Sequence, residues 1–555
     1  LKAHGAILII TEFHPFTVRP CAPQVNQAGA PAGFPAQAGQ SGHMMRVDEL
    51  GMGSPPLSPA STSRRATVDT AISRIGFGRG QMLIMLRLSG MAVSLGCQMA
   101  LLSISSVSTA NHFDLKPSSA GWQASIAQLG CLLGALVSGV VADTLGRWWP
   151  MLIGHLSLTV FGSLAALSNS FEFLLIMRFL IGFSFSIGFS PMAALVSEFT
   201  PSEYRAITRG ANTILYELGC LFCYLLVAFD DASLKEVHWR RLFLIASLVP
   251  GILGLQVFFL RESPVWLDSQ GRREEAISSL KWLDRDGDAD LQDLVPPRSR
   301  KPSVCEQIMT LLSREYVTST IAVCSCAFFH QMIFFGGTYA NAHMMSAPTN
   351  PKVKAAWWLC IWNLCDIGAI VIAMCLSRKL KLKTMVLIGL GMGAAASFLF
   401  GLAVANTNTQ GHRSSGFQVC FQLGGLGFYW APAVLTVALY QHALNIFPTN
   451  VASSAVSSLV ATGRTGALIA PVTFAHLHHS GHWRTFYHIL SIGSVTVGAF
   501  LFLVSEPTVD GTSALQAKDT SPETQQMDVE RAPLLPKHKE TQAYKTVGSR
   551  TSDGF

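Results

Sequence analysis

Charge is what this sequence has least of. Asp, Glu, Lys and Arg make up 13% of its 555 residues, against about 25% in soluble domains, while 50% of the chain is apolar. The charged residues crowd into a few stretches, which excludes an ordinary water-soluble enzyme and makes lipid the solvent of most of the chain. The sequence also lacks a Gly-rich phosphate loop, a metal quartet and a nucleophile motif. An enzyme, a resident cofactor and a nucleotide-driven pump therefore have no support. Its net charge of +7 is spread over tails and loops with no basic patch interleaved with aromatics, so nucleic acid is not an expected partner. No Asn-x-Ser/Thr site occurs, which excludes a large glycosylated ectodomain. Ten of the 12 cysteines lie in apolar runs and read as small buried hydrophobes. Cys220 and Cys223 form a C-x-x-C without a Cys or His at metal spacing, and no metal site is expected.

What the chain has is apolar runs of membrane length. Twelve windows of roughly 20 residues, each able to cross about 30 Å of hydrocarbon, fall near 82–107, 122–142, 149–168, 171–195, 211–229, 242–260, 316–337, 355–376, 384–405, 416–440, 451–475 and 485–504. They divide six and six about a polar stretch. The expectation is an all-α membrane protein of twelve transmembrane helices in two pseudo-symmetric six-helix bundles. Its parts are a disordered N-terminal tail over 1–80, a first bundle over 81–260 and a central cytoplasmic loop over 261–315. A second bundle over 316–505 and a disordered tail over 506–555 follow. The chain opens on Leu1, and Met44 or Met45 is an alternative start. Basic residues are split almost evenly between the short loops of the two sides. The nine Lys and Arg of the central stretch, with Arg74, Arg79 and Arg87 before the first span, place tails and centre in the cytoplasm.

Between the second and third spans stands Gly139-Val-Val-Ala-Asp143-Thr-Leu-Gly146-Arg147. Its glycines permit close approach and a tight turn, Asp143 can face a helix N-terminus, and Arg147 can reach a carboxylate in the next loop, with Glu198 as its expected partner. Read this way, the segment is a latch between moving bundles. Gly, Asp, Gly and Arg at this spacing resemble the loop signature of the major facilitator superfamily. Arg178-Phe-Leu-Ile-Gly182 with Gly188 and Pro191, Glu198 through Arg205, and Arg261-Glu-Ser-Pro264-Val-Trp-Leu267 follow in the order that the resemblance implies. Within the superfamily, Ile75-Gly-Phe-Gly-Arg79-Gly-Gln81 resembles the entry motif of transporters related to synaptic vesicle proteins and of their organic-ion transporter cousins. The pattern Asn445-Ile-Phe-Pro448-Thr449, then Gly463-Arg464-Thr-Gly466 and Pro471, is similar to that of the same branch. Sugar porters share the Glu-Ser-Pro motif.

The chain departs from its relatives where they carry first-span acids: Leu95 and Gln98 stand there, which puts a familiar proton or cation site in doubt. The second half's Cys375-Leu-Ser-Arg378-Lys379 lacks the latch Asp, and Asn445 and Ala452 replace Glu198 and Arg205. A latch on one half only is expected. Five ionisable residues lie within spans, each costing a few kcal/mol unless it faces a partner or a cavity: Arg178, Glu217, His330, Asp366 and Arg464. The resemblance gives Arg178 a structural and coupling role, and His330 reads equally as a core histidine. Glu217, Asp366 and Arg464 are expected to converge as a solute site or as a salt-bridged triad. Gln98 and Gln128 complete the solute-binding candidates. The gating candidates are Gly139, Asp143, Gly146, Arg147, Arg178, Glu198 and Arg205. In the resembled branch an arginine at the position of Arg464 accompanies carboxylate substrates, and the flanking Gly463 and Gly466 would let a substrate approach the backbone.

The reading is a secondary or facilitative transporter of a small organic solute, an organic anion above all, working by alternating access. A coupling proton or other ion is compatible with it. A sugar or organic-cation transporter, or a non-transporting sensor or vesicle scaffold of the same fold, is the alternative. Glu530-Arg-Ala-Pro-Leu534-Leu535 resembles an acidic dileucine signal, which would engage sorting adaptors and direct the chain to an endosomal, lysosomal or vacuolar membrane; the plasma membrane is the alternative.

Overall fold

A computed structural model describes residues 68–115, 119, 121–201, 204–234, 236–284, 304–345, 354–405, 415–447 and 451–504. The dileucine residues Glu530, Leu534 and Leu535, most of both expected tails, Pro448, Thr449 and the centre of the loop between the halves lie outside them. Within the described residues twelve helices have the length and apolarity to cross a membrane. In chain order spans 1 to 6 are Arg79–His112, Trp122–Leu145, Trp148–Ala166, Phe171–Phe199, Ile207–Asp231 and Trp239–Phe259. Spans 7 to 12 are Val317–Met344, Ala355–Leu376, Leu382–Leu402, Val419–Ile446, Ser454–His479 and Trp483–Leu503.

The packing repeats with a shift of six. In the first half, span 2 packs on 4, 3 on 4, 1 on 5, 3 on 6 and 1 on 6; in the second, span 8 packs on 10, 9 on 10, 7 on 11, 9 on 12 and 7 on 12. The contacts between halves obey the same rule, since span 5 packs on span 8 and span 2 on span 11. Side chains such as Leu136, Val140, Ile153, Leu156, Ile252 and Ile492 remain exposed on the outside, as a surface bathed in lipid requires. Small residues bring helices together where hydrocarbon supplies no driving force. A Cβ on Gly130 would stand 2.1 Å from the Phe179 carbonyl oxygen, and one on Gly182 would stand 2.0 Å from that of Ala127.

Three local features depart from the sequence expectation. Helix Val68–Ile75 falls inside the stretch expected to be a disordered tail; its buried Val68, Ala71 and Ile72 form a stripe at helical spacing. It docks on helices Pro264–Ser269 and Arg273–Leu283 of the central stretch. Span 1 runs to His112, shortening the loop before span 2, and span 7 carries a π-helical turn over Met332–Gly336.

Candidate functional site

Spans 1, 5, 7 and 10 meet around a small cavity. Its wall is formed by Met99, Ala100 and Ser103 of span 1, and by Tyr216, Glu217, Cys220 and Tyr224 of span 5. Phe334, Phe335 and Thr338 of span 7 and Tyr429 of span 10 complete it. Phe334 and Phe335 lie in the π-helical turn, an irregularity that often marks functional positions. On one side of the cavity the halves are joined near the span ends. There Ser106 Oγ lies 3.1 Å from His343 Nε2, Ser125 Oγ donates to the Leu468 carbonyl at 2.6 Å, and Ala356 N donates to the Ala232 carbonyl at 3.0 Å. Toward the other side Arg209 lies over the Tyr440 ring at 6.0 Å.

Arg464 stands beside this cavity. Its Nη1 donates to Gln128 Oε1 at 3.1 Å, from span 11 to span 2, and its guanidinium carbon lies 5.7 Å from the centre of the Phe335 ring and 5.9 Å from that of Phe185. Gln128 also directs its amide nitrogen at Met99 Sδ, 3.8 Å away. Gly466 does not open the backbone to a ligand as expected. A Cβ there would lie 2.3 Å from the Phe328 carbonyl oxygen, and one on Gly463 would lie 2.8 Å from Gln331 Cγ, so both glycines seat span 11 on span 7.

The expected triad is only partly assembled. Glu217 and Asp366 are buried, with 3% and 2% exposure, and their carboxyl groups are in hydrogen-bond contact. Asn363 Nδ2 donates to Glu217 Oε2 at 2.5 Å. Among the described residues Arg464 forms an ion pair with neither acid; its guanidinium is turned to Gln128 and two phenylalanine faces instead. His330 is bound into the second half, 3.1 Å from Thr436 Oγ1, and stands behind the cavity wall, its ring 6.5 Å from that of Phe334. Gln98 is buried on span 1 with its Nε2 unpartnered. Arg178 is buried on span 4 with its guanidinium 4.1 Å from the Phe243 ring centre, and its Nε and Nη2 have no hydrogen-bond partner.

The loop signature builds a compact network. Arg147 Nη2 lies 3.1 Å from Glu198 Oε1, Arg147 Nε lies 3.3 Å from Glu198 Oε2, and Nη1 donates to the Ala142 carbonyl at 2.7 Å and to Asp143 at 3.2 Å. Asp143 does not face a helix N-terminus: its side chain is 77% exposed. Glu262 takes that place, accepting from Arg147 N at 3.0 Å and from Trp148 N at 3.1 Å at the start of span 3. Asp143, Arg147 and Glu198 belong to the first half and Glu262 to the central stretch directly after span 6, and none belongs to the second half, so the expected latch between bundles is, in this conformation, a clamp on one bundle. Gly139 lies inside the span 2 helix with open space where a Cβ would be, whereas Gly146 is at φ +89 and faces Glu262. Arg205 Nε donates to the Ser197 and Thr200 carbonyls and closes the C-terminal end of span 4. Sequence reasoning quoted Glu262 only as part of a motif. Its acidic place beside a proline-started helix was the available signal.

A chain of twelve membrane helices, repeated six and six about a central cavity, is an integral multi-pass membrane protein of the major facilitator class. The family model described as sugar (and other) transporter matches residues 81–512, and the chain belongs to that family. Mouse SVOPL, a transporter by name, is 23% identical over 282 residues, which are 50% of this chain and 56% of that protein. Organic cation/carnitine transporter 7 of Arabidopsis thaliana is 30% identical over 233 residues, 41% of this chain and 44% of that protein. The chain spans about half the length of the curated relatives it matches. The xylose transporter XylE of E. coli, in a partially occluded inward-open conformation, shares the fold at 19% identity and a TM-score of 0.59. The likeness covers 77% of this chain and 100% of that one.

Proposed function

We propose that this chain is a secondary transporter of a small organic anion, moved through the central cavity as the two halves rock about it. The observation that carries the reading is Arg464. It is a mid-span cation, its hydrogen bond goes to a neutral amide, and no acid neutralises it among the described residues. A half-buried guanidinium held by a neutral group keeps its planar fork available to a carboxylate. Phe335 is shared between Arg464 and the cavity wall, so an anion in the cavity could have its apolar part against Phe334 and Phe335. Both tails and the central stretch are placed in the cytoplasm, at the plasma membrane or an endosomal or vacuolar one.

A neutral sugar is the second reading, favoured by the description of the family and by the hydroxyl groups of Ser103, Tyr216, Tyr224, Thr338 and Tyr429 in the wall. Uptake of labelled organic acids, sugars and amines into proteoliposomes separates the two. Organic acids should be accumulated by the wild type and not by Arg464→Ala. Uptake of sugars alone, unaffected by that change, supports the second reading, and uptake of nothing returns the chain to a sensor or scaffold.

A further inference from the structure

Glu217 and Asp366 come from opposite halves. One lies on span 5 and the other on span 8, a pair of helices that pack together between the bundles. Their carboxyl groups are in hydrogen-bond contact, and Asn363, less than one turn before Asp366, ties the Glu217 carboxylate a second time at 2.5 Å. Two carboxyl groups form a hydrogen bond only when a proton lies between them, as in acid dyads that share one proton. Two further polar atoms at the same place, Asp366 Oδ1 and Asn363 Oδ1, are buried and unpartnered. The titratable groups that face the pair are Tyr216, Cys220 and Tyr224 on span 5, Cys365 on span 8 and Tyr429 on span 10, with Cys97 of span 1 behind Cys220. None of them is basic. Arg464 on span 11 bears on Tyr216 and is committed to Gln128.

We infer that Glu217 and Asp366 form a proton-exchange site whose single shared proton ties the two halves together between spans 5 and 8. Loaded, the pair carries one negative charge and one carboxyl–carboxyl hydrogen bond. When the proton leaves to water, two anions face one another in a buried place with no ion-paired cation among the described residues, and their repulsion drives spans 5 and 8 apart. Glu217 lies in the cavity wall, which gives water and the proton a route when the cavity opens. The site replaces the first-span acids that this chain lacks at Leu95 and Gln98. It deepens the proposed transport reading by naming a proton as the coupling ion, and it rests on that reading only for the link to solute movement.

The test uses the full chain in lipid nanodiscs with no solute added. Infrared difference spectra recorded while the pH is stepped should show a protonated-carboxyl C=O band in the wild type that disappears as pH rises. Glu217→Gln and Asp366→Asn should each shift the band, and the double variant should lack it. A band unchanged in the double variant, or none in the wild type at any pH, overturns the site. Hydrogen exchange then reads the movement. At high pH spans 5 and 8 should be less protected in the wild type than in the double variant, whose neutral amides keep the contact without the charge; equal protection overturns the coupling. Neither measurement involves a transported solute, so a failure of anion uptake leaves this result standing, and loss of the proton site leaves the anion reading standing.

Discussion

Arg147, on the turn between spans 2 and 3, meets Glu198 of span 4 at 3.1 and 3.3 Å, and both belong to the same six-helix half. With Glu262 bound to the backbone of Arg147 and Trp148, this network ties the turn between spans 2 and 3 to span 4 and to the stretch that follows span 6. In the proposed transport cycle a rocking bundle moves as a rigid body, and there the motif would serve through rigidity within the half.

This assigns more weight to Glu262 than to the acid inside the signature. Replacing Glu262 with Ala leaves two N–H groups at the start of span 3 without their acceptor, and should lower stability by about 1–3 kcal/mol. Asp143 is exposed, and Asp143→Asn should change stability by about 0–1 kcal/mol. Thermal unfolding of the purified variants in one detergent checks the order, and an equal or reversed pair of shifts refutes it.

The two glycines of the motif should part company in the same way. Gly146 has φ +89, and a Cβ would lie 2.3 Å from Glu262 Oε2, so Gly146→Ala should cost about 1–3 kcal/mol in backbone strain and lost capping. Gly139→Ala places a methyl group in open space on a helix and should stabilise it by about 0.5–1 kcal/mol. Melting temperatures that fall for both would show that Gly139 has a contact not accounted for.

Packing of span 2 on span 4 rests on backbone approach. Gly182→Ala would drive a methyl group to 2.0 Å from the Ala127 carbonyl oxygen, and should lower stability by about 1–3 kcal/mol through overpacking. A variant as thermostable as the wild type would contradict the tight crossing.

The twelve spans and their division are legible in the sequence because hydropathy over some 20 residues is a signal along the chain, independent of how helices face one another. Arg147 and Glu198 are also legible as partners, since charge and position leave few alternatives on that side. What is not legible depends on rotation about helix axes. Glu217, Asp366 and Arg464 are equally conspicuous in sequence, yet two of them touch and the third turns to Gln128. Gly463 and Gly466 read as an opening for a ligand and serve helix packing, because sequence does not say which face of span 11 meets span 7. The π-helical turn that places Phe334 and Phe335 in the wall has no compositional mark. Helix Val68–Ile75 had one in the spacing of Val68, Ala71 and Ile72, outweighed by the polar stretch before it.

Arg464 and its hydrogen bond to Gln128 carry the central claim, that an organic anion is the solute. Initial uptake of labelled organic acids should be measured in proteoliposomes containing equal amounts of wild type, Arg464→Lys and Arg464→Ala, each with its melting temperature as a check on folding. Loss of a charge-assisted hydrogen bond of about 1.5–3 kcal/mol should weaken apparent affinity in Arg464→Lys by about 10- to 100-fold, and Arg464→Ala should show no saturable uptake. Saturable anion uptake by Arg464→Ala at the wild-type rate would contradict the account.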